Sequence, residues 1–143
     1  MTPTLFGRIQ TRIFVVVVIG GLWTALVTPL LPGIPPEMAL ADVYAITFRV
    51  LFLVLVCGLG WEFVYHGLQQ LRWEKDWPTL FGLITGVNEG ILVWLIASAW
   101  IDVVPGSAFL VHFTTTWLVI WAWVNGPMRV VFIRWRFQGG RLI

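Results

Sequence analysis

The segment 78–100 is an apolar run long enough to cross a bilayer, and it carries a carboxylate near its middle. A helix rises about 1.5 Å per residue and the hydrocarbon core is about 30 Å thick, so Glu89 lies roughly 16 Å from the start of the run. A charge at that depth costs at least about 2.5 kcal/mol, so protein or water must satisfy it. This segment is therefore predicted to lie at the centre of a membrane bundle.

The composition agrees with an integral membrane protein. Hydrophobic residues make up 59% of the 143 residues and charged residues only 11%, whereas soluble domains carry about 25% charged residues. We predict an all-α bundle of four transmembrane helices in a single membrane domain, residues 1–143. The apolar runs place the spans at 13–31, 43–68, 78–100 and 108–124.

The basic residues predict the orientation. Eight of the nine precede the first span, lie between the second and third, or follow the fourth. The positive-inside rule makes that side cytoplasmic, with both termini inside and the plasma (inner) membrane as the location. A cleaved signal peptide ending at Ala41 is the alternative for the first span. Residues 128–137 are either a kinked extension of the fourth span or an interfacial helix.

Glu89 has candidate partners at its own depth. Thr115 and Thr116 lie about 11–12 Å along the fourth span, and a hydroxyl there can hydrogen-bond Glu89 or the neighbouring Asn88. Two interpretations stay open for this polar site. Glu89 either exchanges a proton or cation during transport, or is a neutral clamp between helices.

Small residues on the same helix predict close packing. Gly82, Gly86 and Gly90 form two overlapping G-x-x-x-G steps, a spacing that lets another helix approach closely. The sequence leaves open whether that helix belongs to this chain or to another.

Two weaker pairs of polar residues lie nearer the membrane surfaces. Arg49 and His112 have similar depths near the outer leaflet and could form an anion site, although an Arg49–Asp42 pair is the simpler interpretation. Glu62 and His66 are four residues apart near the inner leaflet, which favours a hydrogen bond between them. Neither pair has enough ligands for a metal site, so we expect no metal and no cofactor.

The C-terminal segment mixes arginines with large apolar side chains. This pattern is typical of a contact with anionic lipid or with a partner protein. The net charge of +2 follows the topology, so we expect no nucleic-acid binding. The candidate contact residues are Arg129, Arg134, Trp135 and Arg136.

The sequence contains no catalytic motif, so an enzyme is the least favoured class. We expect an accessory, assembly or interaction subunit of a larger membrane complex, with other membrane subunits or a second copy as its partner. The alternative is a small homo-oligomeric carrier or channel that is coupled to protons or cations through Glu89.

Overall fold

The computed structural model describes residues 3–74, 77–101 and 105–131, and the regular elements within these ranges are all helical. Four helices are long and apolar enough to cross a membrane, which confirms this part of the predicted fold class. They comprise Leu5–Leu30 (first helix), Leu40–Leu71 (second), Thr79–Trp100 (third) and Gly106–Val130 (fourth).

The first helix begins eight residues before the predicted start at residue 13. Thr4 caps it, because its side chain accepts a hydrogen bond of 3.0 Å from the backbone N–H of Gly7. The prediction placed the boundary at the start of the uninterrupted apolar run and left Arg8 and Arg12 in front of the span. Both arginines are instead buried inside the helix, because partners on other helices satisfy their charges.

A π-helical segment, Val15–Gly20, interrupts the first helix. In a regular α-helix, the 12 steps from Arg12 to Thr24 turn about 1200°, which leaves the two side chains about 120° apart. A π-helix closes its hydrogen bonds over five residues and therefore turns less per residue. The segment removes much of that difference, and Arg12 and Thr24 are both buried.

The other helices differ from their predicted bounds by a few residues. The second helix is longer at both ends than the predicted 43–68. The fourth is interrupted at Gly126 and resumes as the short turn Pro127–Val130. Residues 132–137 lie outside the described residues, so the kinked extension and the interfacial helix both stay predictions.

The helices alternate in direction, so the starts of the first and third helices lie at the same end of the bundle as the ends of the second and fourth. Gln69 Nε2 donates to the carbonyl of Pro3 at 3.2 Å. Arg129 Nη2 donates to Thr79 Oγ1 at 3.0 Å. The beginning of the first helix and the end of the fourth therefore lie at the same end of the bundle.

The glycines of the third helix receive aromatic rings. A Cβ added at Gly90 would lie 2.7 Å from Phe113 Cε1, and one added at Gly86 would lie 2.6 Å from Trp117 Cδ1. Gly82 faces Trp121 at a wider distance. The partner of this smooth face is thus the fourth helix of the same chain, and the rings of Phe113 and Trp117 stack with centroids 5.9 Å apart.

Candidate functional site

The most unusual feature of the interior is a buried chain of charged side chains that links the first three helices. Arg8 Nη1 donates to Glu62 Oε2 at 2.9 Å, and Arg12 Nε donates to Glu62 Oε1 at 3.0 Å. Arg12 Nη2 donates to Glu89 Oε1 at 2.9 Å. All four residues are more than nine-tenths buried. We call these residues the ion-pair cluster.

The cluster balances its own charge, because two guanidinium groups face two carboxylates. Gln69 extends it towards the end of the bundle by accepting hydrogen bonds from Arg8 Nε and Nη2 at 3.1 and 2.9 Å. Charges removed from water are tolerated when they are paired and hydrogen-bonded in this way. The cluster therefore gives Glu89 a charged partner at Oε1, while its buried Oε2 has no hydrogen-bond partner among the described residues.

Two indole rings lie against the arginines. The guanidinium carbon of Arg8 is 4.8 Å from the ring centroid of Trp77, and that of Arg12 is 5.2 Å from the ring centroid of Trp117. Such contacts stabilise a desolvated guanidinium by about 2 kcal/mol. They also restrict both side chains to one orientation and hold their N–H groups in fixed directions.

The expected hydrogen bond between Glu89 and a threonine of the fourth helix does not form. Thr115 accepts from Trp23 Nε1 at 3.0 Å and donates to the carbonyl of Val111 at 2.7 Å. Thr116 is buried, but its hydroxyl has no hydrogen-bond partner among the described residues. Arg12 takes the predicted place of the threonines because an ion pair with Glu89 is stronger than a neutral hydrogen bond.

Asn88 does not share a site with Glu89. Successive residues of a helix point about 100° apart, and the structure buries Glu89 while leaving Asn88 exposed on the outside of the bundle. Grouping the two as one polar site was therefore wrong.

Arg49 and His112 are not brought together. Arg49 is exposed on the second helix, whereas His112 is buried and its Nε2 lies 2.9 Å from Thr24 Oγ1. No ion pair joins Arg49 to Asp42 within the described ranges. His112 belongs instead to a second polar group in the other half of the bundle.

This second group consists of neutral side chains. Thr28 Oγ1 lies 2.9 Å from Thr47 Oγ1 and donates to the carbonyl of Thr24 at 2.6 Å. It ties the first helix to the second, and the Thr24–His112 contact ties it to the fourth. The first helix thus carries both polar groups, one on each side of the π-helical segment.

The predicted Glu62–His66 hydrogen bond is also replaced. Glu62 directs both carboxylate oxygens at Arg8 and Arg12, while His66 Nε2 lies 3.4 Å from Gln70 Nε2. The two arginines prevail because each offers a charged donor to a buried carboxylate.

A cavity of about 80 Å³ lies beside the ion-pair cluster, at the end of the bundle where the first helix begins. Arg8, Thr11, Arg12 and Glu62 form its polar side. Trp121 and other apolar side chains of the fourth helix form the opposite side. The cavity has room for several water-sized groups, since one such group needs about 10–15 Å³.

The predicted C-terminal contact residues fall partly within the structure. Arg129 binds Thr79 Oγ1 and so connects the fourth helix to the third. Arg134, Trp135 and Arg136 lie outside the described residues, and their predicted contact with lipid or a partner stays a prediction.

Sequence reasoning missed Arg8, Arg12 and Gln69 as members of the buried site. One signal could have found the arginines. Residues 8 and 12 are one helical turn apart and directly precede the first apolar run, while the second and third runs contain the carboxylates Glu62 and Glu89, which need partners. Gln69 offered no comparable signal, because it lies in a polar stretch at the end of the second helix.

Comparison with known proteins identifies no relative: no family model, no curated protein and no solved structure matches this chain.

Proposed function

We propose that this chain is an interaction or assembly subunit of a larger membrane complex, and that its third helix binds a helix of another subunit. The observation that carries the proposal is Asn88. Its amide is exposed near the middle of an apolar helix, where lipid offers no hydrogen bond. Asn side chains in membrane helices hydrogen-bond across helix interfaces, so a helix of a second chain is the natural partner.

The residues around Asn88 support this assignment. Exposed apolar side chains recur on the third helix at intervals of three and four residues, the spacing that forms a helix–helix seam. The seam runs along the same side as Asn88 and consists of Leu80, Ile84, Val87, Ile91 and Leu95. An apolar seam by itself suits lipid equally well, and the polar amide beside it is what favours a protein partner.

The ion-pair cluster supports the same function from inside the bundle. Glu62 and Glu89 are both already bound by arginines of their own chain. A carboxylate held in this way fixes helices to one another rather than awaiting a cation. The cluster is therefore suited to keeping the third helix in place for a partner. On the positive-inside rule, we also propose the inner membrane with both termini cytoplasmic.

The test is purification of the Asn88→Leu variant from native membranes in mild detergent. We expect the native chain to co-purify with a partner subunit in a fixed ratio, or to elute as a homo-oligomer of fixed size. Asn88→Leu should lose at least half of that partner while the chain stays monodisperse. Ser98→Ala is the matched control, because Ser98 is exposed on the same helix but donates to its own backbone at Leu95. Retention of the full partner by Asn88→Leu would contradict the proposal.

The alternative, a carrier coupled to protons or cations, is favoured by the cavity beside the ion-pair cluster. Its test is Glu89→Gln in reconstituted vesicles. A carrier should lose ion-coupled uptake while it remains folded, because the amide of glutamine does not bind and release a proton as a carboxyl does. An interaction subunit should keep its partner, because glutamine still accepts a hydrogen bond from Arg12. Normal ion-coupled uptake in a folded Glu89→Gln variant would exclude a carrier that is coupled through Glu89.

A further inference from the structure

We infer that a second copy of this chain binds in the groove between the third and fourth helices, in a two-fold symmetric dimer in which Asn88 of each copy hydrogen-bonds Thr114 of the other. The inference rests on the proposed function, because it identifies the chain that supplies the partner helix. Three observations carry it: an apolar groove beside Asn88, an exposed hydroxyl on the rim of that groove, and the equal depth of the two polar residues.

The groove runs along the outside of the bundle between the third and fourth helices. On the third helix it extends from Leu83 to Trp94, which is about 16 Å at 1.5 Å per residue. One rim consists of Val87 and Ile91, which also belong to the seam beside Asn88. Grooves flanked by ridges of side chains in this way receive the ridge of another helix. The other rim, on the fourth helix, consists of Leu110, Thr114 and Leu118.

Thr114 is a second polar residue that faces the hydrocarbon without a partner. Its side chain is exposed on the rim of the groove, and its hydroxyl forms no hydrogen bond to any residue that the structure describes. The hydroxyls of Thr85 and Thr115, by contrast, donate to carbonyls of their own helices at 3.2 and 2.7 Å. Lipid tails offer Thr114 no hydrogen bond, whereas threonine side chains in membrane helices bond across helix interfaces.

Asn88 and Thr114 lie at the same depth in the bundle. Two aromatic rings of the fourth helix, at positions 117 and 113, lie against Gly86 and Gly90 and set the register of these antiparallel helices. Position 88 is midway between the two contacts on the third helix, and position 115 is midway between them on the fourth. The backbones of Asn88 and Thr114 therefore differ in depth by about one residue, which is about 1.5 Å.

The two residues of one chain do not meet, but those of two copies can. Asn88 is two residues from both Gly86 and Gly90, so it points about 160–200° away from the side that contacts the fourth helix of its own chain. A two-fold rotation about the membrane normal leaves the depth of every residue unchanged. It brings Asn88 of each copy level with Thr114 of the other. Because a two-fold interface uses the same surface twice, this one pair of residues forms two hydrogen bonds.

A second copy accounts for both polar residues, whereas a different protein accounts for one. An unrelated helix with a single polar side chain would satisfy Asn88 and would not require Thr114 at equal depth. The groove also suits a surface that meets itself, because none of the described residues that line it is charged. Two copies therefore approach without the repulsion between like charges that penalises wrong partners.

The experiment is energy transfer between copies of the full chain that carry a donor or an acceptor dye at the N-terminus, in phosphatidylcholine vesicles of decreasing protein-to-lipid ratio. We expect the native chain to dimerise. Asn88→Leu and Thr114→Val each remove both hydrogen bonds, so each should weaken the dimer roughly ten- to hundredfold. Ser98→Ala is the control, because the hydroxyl of Ser98 donates to the carbonyl of Leu95 on its own helix, and it should associate as the native chain does.

A mixture of the two variants tests the contact directly. In a pair of one Asn88→Leu copy and one Thr114→Val copy, the remaining Asn88 faces the remaining Thr114, and one of the two hydrogen bonds is restored. We expect this mixed pair to associate roughly three- to tenfold more tightly than either variant with itself. A mixed pair no tighter than the variants alone would overturn the inference, because it would show that the two residues do not meet across the dimer.

Other occupants of the groove give different results. A native chain that stays monomeric at every protein-to-lipid ratio would overturn the inference and leave the groove to lipid. A chain that binds a different membrane protein through Asn88, but does not associate with itself, would also overturn it while the proposed interaction function stands. A chain that binds neither itself nor another protein would refute both.

Discussion

At the scale of single residues, the interior depends on Glu62 more than on Glu89. Glu62 binds both arginines, through Oε2 to Arg8 and through Oε1 to Arg12. Glu89 binds Arg12 alone, through one oxygen. Loss of Glu62 therefore leaves Arg8 without a carboxylate and Arg12 with only one. Removing one partner of a buried ion pair is costly because the remaining charge stays buried.

We predict that Glu62→Ala destabilises the chain by about 3–5 kcal/mol, the range for a broken buried ion pair. Glu37→Ala is the control, because Glu37 is exposed in the loop between the first two helices and should change stability by less than about 0.5 kcal/mol. Denaturant titration in mixed micelles, followed by tryptophan fluorescence, measures both. A Glu62→Ala variant as stable as Glu37→Ala would show that the ion pairs contribute nothing.

The sequence predicted that Glu89 must be satisfied inside the bundle, but it could not identify the partner. Depth along the helices made Thr115 and Thr116 suitable, because they lie about as deep as Glu89. The actual partner, Arg12, is 77 residues away in the chain and lay outside the first apolar run. Hydropathy defines where apolar runs begin, and an arginine whose charge is neutralised by a distant carboxylate looks the same in the sequence as one in a loop.

At the scale of elements, the π-helical segment of the first helix holds two polar groups on one side. Arg12 lies before the segment and Thr24 after it, and both are buried against other helices. Deletion of one residue within the segment would shorten their separation from 12 positions to 11. In a regular α-helix this spacing turns about 1100°, which is only about 20° from three full turns.

We predict that deletion of Val17 is tolerated, because the π-helical segment then becomes α-helical with both polar groups still facing inward. Val17 is exposed, so its loss removes no packing from the interior of the bundle. Deletion of Leu26, which is also exposed, lies beyond Thr24, so it leaves the Arg12–Thr24 spacing unchanged and rotates Thr28 about 100° away from Thr47. This deletion should lower the free energy of unfolding by about 2 kcal/mol or more, measured by the denaturant titration described for Glu62→Ala. Equal stability of the two deletion variants would contradict this role of the segment.

At the scale of the whole molecule, hydropathy predicted the number of helices and their order, and the structure confirms four of membrane length. The packing was less predictable. The glycines of the third helix indicated a close approach by another helix backbone, whereas they receive the rings of Phe113 and Trp117. Small-residue spacing indicates available space but does not identify the side chains that fill it, which here come from the next helix of the chain.

We predict that the two chain ends lie on the same side of the membrane and that this side is cytoplasmic. The contacts Gln69–Pro3 and Arg129–Thr79 place both ends of the described chain at one end of the bundle, and the basic residues select the side. Reporter fusions at either terminus, one active only inside the cell and one only outside, measure this. Reporters on opposite sides would contradict the four-helix topology.

The long separation of the ion pairs has a consequence for biosynthesis. Glu62 follows Arg12 by 50 residues and Glu89 follows it by 77. At 5–20 residues per second, roughly 4 to 15 s pass between synthesis of Arg12 and of Glu89. Until Glu62 is made, about 2.5 to 10 s after Arg12, neither arginine of the first helix has a carboxylate partner. The ion pairs can therefore form only after the second and third helices are made, and before that the two arginines at the start of the first helix must find water or lipid headgroups at the membrane surface.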